Sequence, residues 1–138
     1  IPDVYENLKI QVKSYASVMG NRLIVPVNMI NKIERLPKKV NARTTNVFIR
    51  RSRMETDSTD FLIPDGFKVE SVPNAVEINS KYGSYSLSFT VKDGLLNCTR
   101  KYEINKGDYP PTEYENFRAF LEEISKADNL KFTLIKKQ

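Results

Sequence analysis

Thiol and imidazole chemistry is the first possibility to weigh, because this chain has one cysteine and no histidine. A cysteine nucleophile needs a base beside it, which is commonly histidine, and histidine is also a frequent zinc ligand. Cys98 stands in an alternating run and shares the parity of Tyr102 and Ile104. We therefore expect a small buried side chain there rather than a reactive thiol. The sequence predicts no catalytic residue and no enzyme activity for this chain.

Carboxylates provide the other candidate chemistry. Glu55, Asp57 and Asp60 form an oxygen-rich cluster of a kind that can hold Ca²⁺, but the cluster lacks the glycine and the spaced glutamate of an EF-hand loop. An ordinary polar turn is expected there. Glu122 and Glu123 are adjacent on a predicted helix and cannot face each other as paired catalytic acids. The sequence therefore predicts no metal ligand and no cofactor-binding residue.

The positive charge of the chain is local. The net charge is +5, and residues 32–53 hold eight Lys and Arg against only Glu34, which gives this stretch +7. Arg50, Arg51 and Arg53 are the candidate contacts for a polyanion. No aromatic residue other than Phe48 lies among these charges, so a base-stacking platform is not supported. We expect a solvated or partner-contacting face and no specific nucleic-acid partner, with the three arginines spread over both faces of a strand.

Tyrosines raise the possibility of a sugar-stacking surface, through Tyr82, Tyr85, Tyr102 and Tyr109. The chain has no tryptophan, and Tyr85 and Tyr102 alternate with polar residues as inward-facing strand positions do. Packing inside a sheet is therefore the favoured interpretation.

Strand patterns fill most of the chain. Leu8, Ile10 and Val12 alternate with polar residues and predict a half-exposed strand, with residues 23–27 as a partner across a turn at Gly20-Asn21. Residues 28–46 are irregular and predict a short helix or a long loop. Two long alternating runs, residues 85–91 and 96–104, are separated by Asp93-Gly94, which is the strongest short-range signal for a hairpin.

The period changes from two to that of a helix after Pro110-Pro111. Thr112-x-x-Glu115 matches a capping box, and apolar residues from Tyr114 to Ala127 follow at helical spacing. Residues 130–135 return to a strand pattern. The sequence therefore predicts a mainly β fold: one antiparallel β-sandwich-like domain over residues 1–138, with a C-terminal amphipathic helix at about 112–126 and a final strand. No segment is apolar and long enough to predict a transmembrane span.

Several short motifs in the second half of the chain recur in order in a known module. The motifs are Phe61-Leu62-Ile63-Pro64-Asp65-Gly66-Phe67, Tyr82-Gly83-Ser84-Tyr85, Arg100-Lys101-Tyr102, Gly107-x-Tyr109-Pro110, Tyr114-x-x-Phe117-x-x-Phe120 and Ser125-Lys126-Ala127-Asp128-Asn129. In them the chain resembles the C-terminal domain of bacterial transglutaminase-like proteins of uncharacterised function, exported or envelope-associated chains with a papain-like core. The resemblance implies a periplasmic or cell-envelope location. It also implies that the Cys–His–Asp catalytic set belongs to another domain, because nothing in this chain matches that set.

These observations lead to one function hypothesis and two rivals. We expect a non-catalytic accessory domain, a fragment of a longer chain, that packs against an upstream catalytic domain of the same parent or positions its protein or glycan substrate. The rivals are a carbohydrate- or surface-polymer-binding module and an enzyme that uses Asp, Glu, Lys or Tyr. The missing neighbour should leave an exposed apolar patch, near residues 1–4 or 28–46. The candidate interface residues are Val4, Met29, Ile30 and Leu36.

Overall fold

The architecture is described by a computed structural model that covers residues 3–138. These residues form strands that pair antiparallel, one short 3₁₀ turn at Pro111–Glu113, and one α-helix. The predicted mainly β fold with a C-terminal helix and a final strand is confirmed. The elements are β1 Ser17–Met19, β2 Arg22–Pro26, β3 Val47–Ile49, β4 Arg53–Leu62, β5 Phe67–Ser71, β6 Val76–Ser80, β7 Gly83–Lys92, β8 Leu95–Ile104, β9 Gly107–Tyr109, α1 Tyr114–Asp128 and β10 Lys131–Lys136.

Two four-stranded sheets and a two-stranded ribbon make up the β structure. One sheet has the strand order β1-β2-β10-β5, the other β4-β8-β7-β6, and β3 pairs with β9 in the ribbon. The apolar faces of the sheets and of α1 share one core, because alternate residues of each strand point to the same side. Its buried members include Val25, Tyr85, Leu96, Ile124 and Phe132. The fold thus places the C-terminal end of α1 against the inner faces of both sheets. Crossing a bilayer would take a longer and more apolar helix than any in residues 3–138.

The hairpin predicted at Asp93-Gly94 is confirmed. Lys92, the last residue of β7, pairs with Leu95, the first residue of β8, and the two turn residues have φ angles of 50° and 77°. A type I′ turn requires positive φ at both positions, which Asp tolerates and Gly adopts freely. This turn fixes the register of β7 against β8, and therefore decides which residues of β8 face the core.

The predicted strand at Leu8–Val12 is wrong. Residues 3–12 pair with no strand and are exposed, with Leu8 at 65% and Ile10 at 49%. The turn at Gly20-Asn21 does form, but β1 begins at Ser17 and pairs Met19 with Arg22. A short turn recruits the residues next to it as the partner strand, so Ser17–Met19, and not the alternating segment further away, pairs with β2.

Three local expectations need correction or refinement. Residues 28–46 form neither helix nor strand, so the long-loop alternative is the correct one. The expected polar turn around residues 55–60 is instead the middle of β4. Arg50 and Arg51 precede β4 and do not spread over the faces of a strand as expected.

The capping box predicted at the start of the helix does not form. Pro110 and Pro111 open a 3₁₀ turn in which the Glu113 N–H donates to the Pro110 carbonyl oxygen at 2.9 Å. Glu113 is consequently the residue before α1, and no side chain caps the helix. The helix starts two residues later and ends two residues later than predicted, with Asp128 as its last residue.

Candidate functional site

A buried charge pair lies where the helix ends against the sheet. Arg100 lies between Cys98 and Tyr102 on the face of β8 that points into the core. Only 3% of Arg100 is exposed. Asp128, at the C-terminal end of α1, is 1% exposed. Charged side chains are rarely buried to this extent unless they are paired. This pair is the most chemically distinctive feature of the core.

Five donors surround the carboxylate of Asp128. Arg100 donates from Nε to Oδ1 at 2.8 Å and from Nη2 to Oδ2 at 3.0 Å. The Tyr85 hydroxyl donates to Oδ1 at 2.7 Å, the Ile33 backbone N–H donates to Oδ2 at 3.1 Å, and Asn28 Nδ2 lies 3.4 Å from Oδ1. A carboxylate held this way has its acceptor sites filled. Asp128 therefore joins α1, β7, β8 and the 28–46 loop.

The guanidinium of Arg100 is surrounded on its other side as well. Its Nη1 lies 3.3 Å from Asp57 Oδ2 and 3.4 Å from Glu55 Oε2, and the guanidinium carbon lies 5.3 Å from the Tyr85 ring centroid. Burial by itself lowers the pKa of Arg100, but the hydrogen bonds and charge of Asp128 outweigh burial and raise the pKa overall. The guanidinium thus has carboxylate partners on two sides, which is the geometry of a structural ion-pair network.

Cys98 lies beside this network on the same face of β8. Its side chain belongs to the buried core at 4% exposure, as predicted. Burial raises the pKa of the Cys98 thiol to about 11, with the charge of Arg100 opposing that shift. The thiol is protonated at neutral pH, and a thiol is a far weaker nucleophile than a thiolate. The environment of Cys98 therefore resembles that of a packed residue, not of a catalytic one.

A small cavity of about 80 Å³ adjoins the network. Its lining is mostly apolar and includes Val27, Met29, Ile30, Phe61, Cys98 and Arg100. Pockets that enclose a drug-sized ligand have volumes of roughly 300–1,000 Å³. The space here fits a few atoms of a partner side chain and is too small for a cofactor.

The tyrosines weighed as a sugar-stacking surface lie in the core instead, as the alternation favoured. Tyr82, Tyr85 and Tyr102 are between 1% and 4% exposed. Tyr109 is half-buried, with its ring centroid 4.9 Å from that of Tyr82. The Tyr82 hydroxyl donates to Glu113, whose other carboxylate oxygen lies 2.6 Å from Lys81 Nζ. Hydrogen bonds from Lys81 and Tyr82 lower the pKa of Glu113. This cluster ties the β6–β7 turn to the start of α1.

The acidic residues considered as a calcium cluster point in different directions. Glu55 and Asp57 face the core side of β4 and contact Arg100. Asp60 lies on the opposite face, where it accepts a hydrogen bond from Asn97 Nδ2 at 2.8 Å. Alternation along a strand separates residues of different parity, so the three oxygens do not converge on one ion.

The candidate interface residues occupy three places. Met29 and Ile30 lie together at the cavity and are 40% and 60% exposed. Leu36 is half-buried further along the same loop. Val4 is 84% exposed in the unpaired segment at residues 3–12, and the neighbouring positions 1 and 2 lie outside the described residues. Of the four candidates, the structure places only Met29 and Ile30 next to each other at the cavity. The proposed interface with an upstream domain stays a prediction.

The candidate polyanion contacts Arg50, Arg51 and Arg53 are exposed. Arg53 Nε lies 3.6 Å from Glu55 Oε1. Over residues 3–138, Arg50 and Arg51 form no ion pair. The two arginines are therefore exposed without a carboxylate partner among the described residues, and whether they bind an anion stays a prediction.

Sequence reasoning missed the Arg100–Asp128 pair. One signal was available. Arg100 lies an even number of residues from the apolar Leu96 and Tyr102, so the strand pattern places its charged side chain on the buried face. Its partner gave no comparable signal, because an aspartate at a helix end is ordinary and the pairing spans 28 residues.

Comparison with known proteins adds a family and one structural neighbour. A structure described as a "putative protease" from Parabacteroides distasonis superposes with a TM-score of 0.66 at 18% sequence identity. The match covers 84% of this chain and 24% of that chain, so this chain spans about a quarter of its neighbour's length. Curated proteins gave no significant match. The model of a domain of unknown function with a solved structure, DUF3858, matches residues 21–134, and the chain therefore belongs to the DUF3858 family.

Proposed function

We propose that this chain is a non-catalytic accessory domain of a larger protein with a protease-like or transglutaminase-like catalytic core. The observation that carries the proposal is the asymmetry of the structural match, which takes in 84% of this chain but 24% of the larger protein. A unit that makes up a quarter of such a protein leaves ample length for a separate core. The accessory domain would pack against that core or position its substrate.

The chemistry of the buried groups supports a holding role. Arg100 and Asp128 are engaged with each other, and Cys98 is a protonated thiol whose pKa lies at about 11. Arg100 and Asp128 connect sheet, helix and loop, and Cys98 packs in the core beside them. In this proposal the Cys–His–Asp set that the family resemblance implies belongs to the neighbouring core, and the whole protein functions at the bacterial cell envelope.

Exposed apolar side chains supply the contact surface that the proposal requires. Met29 and Ile30 stand at the cavity, held in place because Asn28 Oδ1 accepts hydrogen bonds from the Ile30 and Asn31 N–H groups at 3.2 and 2.9 Å. A rigid loop that presents apolar residues loses little entropy on docking. An apolar side chain from the catalytic core would fill the cavity between them.

The test compares the isolated chain, the parent protein and the parent without this domain in peptidase and transglutaminase assays. The isolated chain should show no turnover, and its Cys98→Ala variant should be indistinguishable from it. The parent without the domain should still cleave or modify small peptides, but with a raised KM or lost activity on protein substrates. Turnover by the isolated chain that disappears in Cys98→Ala contradicts the proposal, as does a parent unaffected by loss of the domain.

A further inference from the structure

The ribbon of β3 and β9 displays an aromatic side chain to solvent. Alternation along β3 buries Val47 and Ile49, at 4% and 8% exposure, and leaves Phe48 between them 62% exposed. Ile49 belongs to the main core, so the backbone under Phe48 is anchored from behind. A fixed aromatic ring in water is the kind of side chain that anchors protein interfaces.

Two exposed arginines follow this ring closely along the chain. Arg50 follows Phe48 by two residues, which places their Cα atoms at most about 7 Å apart, and Arg51 is next in the chain. Both arginines are exposed and form no ion pair with any residue from 3 to 138. The segment is also fixed in position, because the Lys106 N–H donates to Ser52 Oγ at 2.9 Å.

One acidic residue lies opposite this ring on the ribbon. Asp108 is the register partner of Phe48 on β9, and its Oδ1 accepts a hydrogen bond from Asn46 Nδ2 at 3.0 Å. The Asn46 amide carries no charge and does not offset that of the carboxylate, but Asp108 forms an ion pair with neither arginine, and one carboxylate stands against two guanidinium groups. Charge complementarity then calls for a partner that brings its own carboxylates to Arg50 and Arg51.

We propose that Phe48, Arg50 and Arg51 form a docking surface for an acidic protein segment that carries an aromatic or aliphatic side chain. Aromatic residues and arginine are the types enriched at the energetic centres of protein interfaces. A single exposed ring is a poor platform for nucleic acid, which stacks successive bases on several aromatic side chains. The inference rests on the proposed role of the chain as an interaction domain, and it names a surface separate from Met29 and Ile30.

The test measures binding of the chain to a fluorescent random copolymer of glutamate and tyrosine, with polyglutamate of the same length as the probe of charge alone. The copolymer should bind about tenfold more tightly than polyglutamate. Phe48→Ala should abolish that difference and leave the weak binding of polyglutamate unchanged. Arg50→Gln with Arg51→Gln should weaken both probes and flatten their dependence on salt.

Matched variants separate the surface from general effects on the chain. Leu62→Ala removes another exposed apolar side chain, which is 76% exposed on β4, and should leave binding unchanged. Equal affinity for the two probes, or a copolymer affinity unaffected by Phe48→Ala, overturns the proposal. Tighter binding to oligothymidylate or to anionic phosphatidylserine vesicles than to the copolymer also overturns it. None of these outcomes contradicts the proposed accessory role, because that role is tested separately in the parent protein.

Discussion

Arg100 on β8 and Asp128 at the end of α1 form a buried ion pair through two hydrogen bonds, of 2.8 and 3.0 Å, across 28 residues of sequence. The pair connects the last turn of the helix to the sheet. The Tyr85 hydroxyl and the Ile33 N–H bond to the same carboxylate. Asp128 therefore connects four segments of the chain. Removing its carboxylate should lower the free energy of unfolding strongly.

Asp128→Asn should lower the free energy of unfolding by about 3–5 kcal/mol, because it leaves the charge of Arg100 buried without its main partner. Denaturant melts measure the change. Glu70→Gln is the matched control, since it breaks an exposed pair of similar geometry in which Arg22 Nε lies 2.7 Å from Glu70 Oε2. That exposed pair is solvated and should matter far less.

The double variant Arg100→Met with Asp128→Leu should recover much of the stability lost in Asp128→Asn. Replacing both charges with apolar groups removes the unpaired ion. The recovery is limited because the Tyr85 hydroxyl and the Ile33 N–H lose the acceptor that Asp128 provides. A double variant that is no more stable than the single one would show that the hydrogen bonds Asp128 accepts from Tyr85 and Ile33, rather than the unpaired charge of Arg100, dominate the cost.

Cys98 should make the stability of the chain fall at alkaline pH. Burial raises the folded-state pKa of the thiol to about 11, above the ordinary value of 9.0. The unfolded chain therefore releases the proton first, and this contribution to stability is complete below pH 9 and is lost as pH rises towards 11. Between pH 9 and 10, the wild type should lose about 1 kcal/mol more than Cys98→Ala. Parallel stability curves for the two proteins would contradict the assigned burial.

The aromatic side chains of α1 should contribute more to stability than its N-terminal residues. Phe120 is 4% exposed in the core, and Phe120→Ala should cost about 3–5 kcal/mol through the cavity it leaves. Phe117 is only half-buried, so Phe117→Ala should cost about 2 kcal/mol. Thr112→Ala should cost little, because no side chain caps the helix. A larger loss for Thr112→Ala than for Phe120→Ala would mean that the capping box forms in solution.

The sequence predicts this fold best where the pattern is local. The Asp93-Gly94 turn and the helical stripe around Phe120 each depend on residues within a few positions of one another, and both are confirmed. Leu8–Val12 has the same alternation as a true strand, but β2 pairs with Ser17–Met19, which the turn at Gly20-Asn21 brings next to it. The Arg100–Asp128 pair lies beyond local patterns, because the fold alone brings β8 and the end of α1 together.

The basic segment at residues 32–53 should bind heparin or DNA only through charge. Any affinity should be micromolar or weaker and should collapse by about 200 mM salt, because released counterions set the salt dependence. Arg50→Gln with Arg51→Gln should reduce the slope of affinity against salt, whereas Lys92→Gln, at the tip of the β7–β8 hairpin, should not. Binding that survives about 200 mM salt would indicate specific nucleic-acid recognition instead.

The loop around Met29 and Ile30 should become protected when the domain is part of its parent protein. Both side chains are exposed at the cavity, and docking of the catalytic core would exclude water from the loop and slow amide exchange along residues 29–36. Strand β7 is paired on both sides by β6 and β8, so its amides serve as the unchanged reference. Ile30→Ser should weaken the contact, while Leu62→Ser on β4 should not. Equal amide exchange of residues 29–36 in the isolated chain and in the parent would contradict an interface at this loop. Protection around Phe48 alone would indicate that the catalytic core docks on the β3–β9 ribbon instead.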